Sequence, residues 1–105
     1  MNSSRKGADG ERELAALLQA EGYEVQRGGT MSFGERPDLS GLPGIHVECK
    51  RCEQLRLSEW MEQATRDAKR FKDGKPALFH RRNRQPWLVT MLFTDWMKLY
   101  KEARK

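Results

Sequence analysis

Asp38, Glu48 and Lys50 are the residues of this chain whose types and spacing could do chemistry together. They lie in PDLSGLPGIHVECK, residues 37–50, where Asp38 stands ten positions before a Glu48-Cys49-Lys50 triplet. The Leu42-Pro43-Gly44 turn between them is short enough to fold one strand back beside the other. Alternation then sets Ile45, Val47 and Cys49 on one side of the second strand and His46, Glu48 and Lys50 on the other. Two carboxylates and an amine would project toward one point. Such a set can hold a divalent cation through hard oxygen ligands and keep a water next to a phosphodiester.

The elements that must position these residues are legible in outline. Residues 1–7 read as a loose basic lead-in, and Asp9 can cap a helix with apolar positions at Leu14, Leu17 and Leu18, Ala15 beside them and Gly22 closing it. At about 100° per residue, Glu11 falls roughly 60° from the centre of that stripe and Glu13 nearer 100°, so Glu11 sits at the edge of the buried face and Arg12 points outward. A carboxylate there costs energy unless it is paired or bound to a cation. Favourable interaction with the helix dipole is the competing explanation for Glu11.

Tyr23 to Arg27 alternates as a first strand, and residues 28–34 form a loop whose small and hydroxyl residues, Ser32 among them, could approach a phosphate backbone. Arg36 and Pro37 lead into the short segment that carries Asp38. From Leu57 the period becomes helical: Leu57, Trp60, Met61, Ala64, Ala68 and Phe71 share a face, with Ser58 as cap and Gly74 and Pro76 ending the helix. Gln63 and Asp67 flank that stripe, which lets Gln63 reach a site at the sheet edge. Residues 77–80 and 87–93 read as two buried strands joined by a basic loop, Arg81-Arg82-Asn83-Arg84-Gln85. That loop could grip phosphates, or it could simply be solvated charge at a hairpin tip. Thr94 or Asp95 would cap a last helix with Trp96, Leu99, Tyr100 and Ala103 on one side, as core or as interface. The expected class is α/β, a mixed sheet flanked by helices in the order α-β-β-β-α-β-β-α, in one domain spanning residues 1–105.

Composition narrows the partners. Twenty Lys and Arg against fifteen Asp and Glu leave a charge of +5, which favours a polyanion through phosphate contacts and counterion release. Apolar runs are too short to cross a bilayer, and the first residues lack the apolar stretch of a secretion signal, so a cytoplasmic protein with reduced thiols is expected. Cys49 and Cys52 have CxxC spacing, but with only His46 and His80 to complete a zinc set they read as packed free thiols. His46 shares the face of Glu48 and could lie near the site, although a lone histidine is more often a partly buried polar residue.

The PDLS…HVECK pattern resembles the active-site signature of the PD-(D/E)XK nuclease superfamily. The opening RKGADGERELAALLQAEGYEVQRGG is similar to the first helix and strand of archaeal Holliday-junction resolvases and their phage relatives. Together the matching segments run from about residue 5 to 51. The resemblance implies a restriction-endonuclease-like fold and a metal-dependent DNA endonuclease, phage or prophage related. It implies that Asp38, Glu48 and the Cys49 backbone carbonyl hold Mg²⁺ or Mn²⁺, that Glu11 joins the metal site, and that Lys50 is the signature lysine that orients or helps deprotonate the attacking water. Gln63 would support the site from the following helix. Arg12 and Arg27 fall where relatives keep basic residues near DNA, and Ser32, Arg36, Arg81, Arg82 and Arg84 are further candidates for backbone contact. The expected partner is branched or double-stranded DNA, cut to a 5′-phosphate and a 3′-hydroxyl. The Asp38–Glu48 gap is shorter than in the archaeal resolvases and the chain diverges after residue 52, so junction selectivity and homodimerisation stay open. So do a restriction- or repair-type nuclease without junction preference, and a non-catalytic DNA- or partner-binding module on the same fold.

Overall fold

Apolar residues at helical spacing near the N-terminus and strictly alternating ones in the middle of the chain meet across one sheet. The computed structural model describes residues 3–28 and 36–105. Its elements are α1 (Ser3–Ala20), β1 (Gln26–Arg27), β2 (Leu39–Ser40), β3 (Ile45–Arg51), α2 (Leu57–Phe71), β4 (Lys75–Arg81), β5 (Leu88–Met91) and α3 (Phe93–Ala103). This is the expected order. The sheet runs β1-β2-β3-β4-β5, antiparallel except for the β3–β4 pair. That parallel pair needs a crossover, and α2 supplies it.

β3 is the central strand and is covered on both faces. Val47 and Cys49 pack with Leu14 and Ala15 of α1, together with Val25 and Leu39. Trp60 and Ala64 of α2 pack with Leu78 of β4, which lies beside Glu48 in the parallel register. At the crossing of α1 over the end of β3, a Cβ on Gly10 would come within 2.6 Å of the Arg51 Cβ, so a bare backbone permits the approach. Gly74 (φ +134°) lies against Gly44, whose carbonyl accepts the Lys75 amide at 2.9 Å, and this contact starts β4 beside β3.

Several local expectations are corrected. α1 begins at Ser3, so residues 3–7 are helical and Asp9 lies inside the helix instead of capping it. Leu17 is 47% exposed, leaving Leu14, Ala15 and the partly buried Leu18 as the inward face. The first strand contracts to Gln26–Arg27, although Val25 is buried. The N-caps of α2 and α3 are Arg56 and Leu92, not Ser58 and Thr94 or Asp95. α2 ends with Lys72 in the left-handed conformation (φ 52°), and Pro76 is already part of β4. The largest difference is at the far edge. Leu88 and Val89 of β5 are more than half exposed, and no residue of α3 is buried; its Trp96 and Tyr100 stack on each other in solvent. The expected buried strand at residues 87–93 is therefore a shorter edge strand, Leu88–Met91, with Trp87 alone packed against the core and Phe93 already in α3.

Candidate active site

The register that sets Leu39 against Val47 puts Asp38, one residue before β2, across from Glu48. The Asp38 carboxylate accepts the Cys49 amide hydrogen at 3.1 Å, which ties it to the strand carrying Glu48 and Lys50. Glu11, half-buried on α1, faces the same region and accepts two hydrogen bonds of 3.3 Å from Arg27. Lys50 donates to the Gln63 carbonyl oxygen at 2.8 Å and lies 3.9 Å from Glu48. The structure thus gathers Asp38, Glu48, Lys50 and Gln63 and sets Glu11 beside them.

The carboxylates of this assembly are crowded together under partial burial. Burial, then repulsion from Glu48 and Glu11, pushes the Asp38 carboxyl up to about 7, despite the Cys49 amide and the Lys50 ammonium. Glu11 is raised by burial and by Glu48, with Arg27 opposing. Clustered carboxylates that raise one another in this way form a site for a cation. Oxygen donors of this kind fit a hard divalent ion.

His46 is drawn into the site more tightly than its sequence position suggested. It is fully buried, with Nε2 2.9 Å from Glu48 Oε1 and Nδ1 2.9 Å from both carboxylate oxygens of Asp73. Burial works against charge on the ring, but the bonds to Glu48 and Asp73 prevail and lift it to about 9. An ionised carboxylate only accepts, so both ring nitrogens donate. Among the described residues, His46, Glu48 and Asp67 form a group whose ligand atoms all lie within 4.8 Å of one another; Glu11, Asp38 and Glu48 are not drawn together to that extent. A histidine that donates from both nitrogens has no lone pair for a metal, which leaves the carboxylate side of Glu48, toward Asp38, as the candidate for an ion.

Basic residues are distributed differently from expectation. Arg12 pairs with Asp9 on the surface, and Arg27 is committed to Glu11. Arg81 turns back to Glu13 of α1 and to the Gln85 carbonyl, and Trp87 donates to the same glutamate at 2.7 Å. Arg36, Arg82 and Arg84 are exposed, and Ser32 lies outside the described residues. A cleft of about 550 Å³ adjoins Lys50, and Lys6, Arg51 and Arg56 line it above Trp60. Sequence reading missed these three cations. The CKR run held a signal for Arg51 only, since Lys6 reaches the cleft through the early start of α1.

The cysteines occupy different environments. Cys49 is buried, and burial together with Asp38, Glu11 and Glu48 pushes its thiol well above the usual range, whereas Cys52 is exposed. His80 is bonded to the Thr90 hydroxyl at 2.8 Å, and burial lowers its pKa. One thiol, that of Cys52, is expected to react rapidly with an aromatic disulfide reagent in the native protein, and two after denaturation. Two fast native thiols would contradict the buried placement of Cys49.

No helix among the described residues is long and apolar enough to cross a membrane. A family model described as "Phage putative PDDEXK endonuclease" matches residues 2–105. Among solved structures, the fold is similar to that of Hjc from Archaeoglobus fulgidus, a Holliday junction resolvase from an archaeal hyperthermophile. The identity is 24% and the TM-score 0.60, over 82% of this chain and 72% of that one. No curated protein matches the sequence.

Proposed function

The chain belongs to the phage PDDEXK endonuclease family and is a metal-dependent nuclease, and on that premise we propose that it hydrolyses DNA with Mg²⁺ or Mn²⁺. The observation that carries this reading is the convergence of carboxylates on one face: Asp38, tied to the Cys49 amide at 3.1 Å, stands opposite Glu48, and burial together with Glu48 raises both Asp38 and Glu11. Asp38, Glu48 and the Cys49 backbone carbonyl would hold the ion, with Glu11 on a second cation or an ordered water. Such an ion supplies positive charge to a phosphate oxygen and makes a nearby water more acidic.

The chain's own residues supply the remainder. The Cys49 amide fixes the Asp38 carboxylate against β3. The Gln63 side chain takes one of the three Lys50 donors at 2.8 Å and so aims the ammonium. The remaining donors orient the attacking water and offset charge developing at phosphorus. Water adds to phosphorus, giving up a proton to solvent, as the bond to the 3′ oxygen breaks, leaving a 5′-phosphate and a 3′-hydroxyl that takes its proton from solvent. The cleft lined by Lys6, Arg51 and Arg56 would receive the backbone beside the scissile phosphate, with Arg12, Arg36, Arg82 and Arg84 as outer contacts. Ser32, Arg27 and Arg81 remain candidates for DNA contact, the two arginines only if they leave their present partners. The structural similarity to a junction resolvase favours a branched substrate, and a homodimer would supply the two incisions a four-way junction needs.

The test compares nicking of four-way, flapped and linear DNA with Mg²⁺, with Mn²⁺ and with chelator. The expected result is ion-dependent cleavage favouring the four-way junction, weakened by salt. Equal cleavage of all three would indicate a restriction- or repair-type nuclease. DNA bound at low salt with no cleavage under either ion would favour a binding module.

A further inference from the structure

Glu48 has two oxygens, and the structure accounts for each of them differently. Oε1 receives a hydrogen bond of 2.9 Å from His46 Nε2, whereas Oε2 lies 3.9 Å from the Lys50 amine. The other ring nitrogen of His46 is held at 2.9 Å by Asp73, which follows the left-handed turn at Lys72 that ends α2. The His46 ring also stacks on Phe71, centroid to centroid at 6.2 Å and 15° between planes. With the ring 0% exposed and engaged at both ends and on one face, it has one orientation available.

We propose that Asp73 and His46 are positioning residues for the metal site: they fix the Glu48 carboxylate so that Oε2 alone faces the divalent cation. This rests on the metal-nuclease reading of Glu48 given above. Without the clamp, a glutamate with three side-chain torsions can rotate its carboxylate toward Lys50, or take the ion with both oxygens and change its coordination. With the clamp, β3 presents Glu48 at a set angle opposite Asp38, before any ion arrives. The hydrogen-bond partners of metal-binding groups commonly act in this way, and their loss weakens ion binding roughly 10- to 100-fold. The same geometry removes His46 from any ion-binding set with Glu48 and Asp67, because neither of its nitrogens has a free lone pair.

The decisive variant is Asp73→Asn, which changes a partly exposed residue on the far ring nitrogen of His46 from Glu48. Mn²⁺ affinity of the full chain is measured by calorimetry without DNA, beside single-turnover cleavage across a Mn²⁺ series. The expected result is about tenfold weaker Mn²⁺ binding in a cooperatively folded protein. The cleavage rate should return toward the wild-type value at high Mn²⁺, with the apparent affinity for DNA unchanged. His46→Gln, which keeps a donor toward Glu48, should lose less Mn²⁺ affinity than His46→Leu. Unchanged Mn²⁺ affinity in Asp73→Asn would overturn the proposal while leaving the nuclease reading intact. Wild-type protein that binds no Mn²⁺ and cleaves nothing would overturn both.

Discussion

Asp38→Asn is expected to slow cleavage by orders of magnitude and, in metal-free protein near neutral pH, to raise the melting temperature. The two effects share one cause. Burial and the neighbouring Glu48 and Glu11 carboxylates lift Asp38 from the ordinary 3.8 to about 7. A folded-state pKa above the unfolded one means that the native protein binds the proton more tightly. Stability contributed by this group is therefore lost as the pH rises from about 4 to 7, and the full penalty is in place above that range. One pKa unit corresponds to about 1.4 kcal/mol, and with allowance for partial exposure the penalty is roughly 1–3 kcal/mol. The asparagine carries no charge to bury and can still accept the Cys49 amide hydrogen. For a domain of this size each kcal/mol moves the midpoint by roughly 4–8 °C. Thermal unfolding with chelator at pH 4, 6 and 8 should thus show variant and wild type diverging with pH. Saturating Mg²⁺ should then reverse their order, because the wild type binds the ion better and is stabilised by it. Cleavage by the variant should fall about 10²–10³-fold or more. A variant less stable than wild type at pH 8 in chelator would contradict the electrostatic account of the site.

Lys50→Ala should separate catalysis from ion binding. The Lys50 ammonium touches Gln63 and lies 3.9 Å from Glu48, so it is placed to act on water and phosphate and is no ligand of the cation. Removing it also removes a positive charge from beside two carboxylates, which should leave Mn²⁺ affinity equal or slightly tighter. Single-turnover cleavage at saturating Mg²⁺ should drop about 10²–10⁴-fold, the range for a group that assists proton transfer or stabilises developing charge. Lys50→Arg should not restore the rate, since a planar fork cannot reproduce a compact ammonium held by one amide oxygen. If the alanine variant instead lost ion affinity and kept its rate at saturating Mg²⁺, Lys50 would be organising the carboxylates and not the reaction.

Where local pattern could be read, it carried the site a long way. Strand parity placed His46, Glu48 and Lys50 on one face of β3 and Val47 and Cys49 on the other, and the fold agrees, because period-two alternation is a property of the backbone itself. Helical angle put Glu11 at the edge of the α1 stripe, and it is half-buried there beside Arg27. Local pattern failed where the outcome depends on what stands opposite. Gly7 and Gly10 read as a lead-in and its capped start, yet α1 runs through both, since Gly10 is where the helix must pass close over Arg51. The apolar faces of β5 and α3 have the composition of core, but among the described residues none of α3 is buried. Periodicity reports that a face is apolar, not that a partner exists for it.

The amino-acid sequence by itself therefore determined which groups are proposed for the chemistry: two carboxylates, a lysine and a helix-borne glutamate, spaced so that a short antiparallel turn brings Asp38 opposite Glu48. It also determined the element order, through the change from period two to helical period and back. Only the tertiary structure decided how Glu48 is held, because the clamp joins His46 to an aspartate 27 residues away across the β3–α2–β4 crossover, a separation no local pattern encodes. It alone also decided which cations border Lys50, sending Arg27 and Arg81 to glutamates of α1 while bringing Lys6 and Arg56 to the cleft. The physical reason is common to both. Charge type and spacing are written along the chain, whereas burial and ion pairing depend on which surfaces the fold presses together.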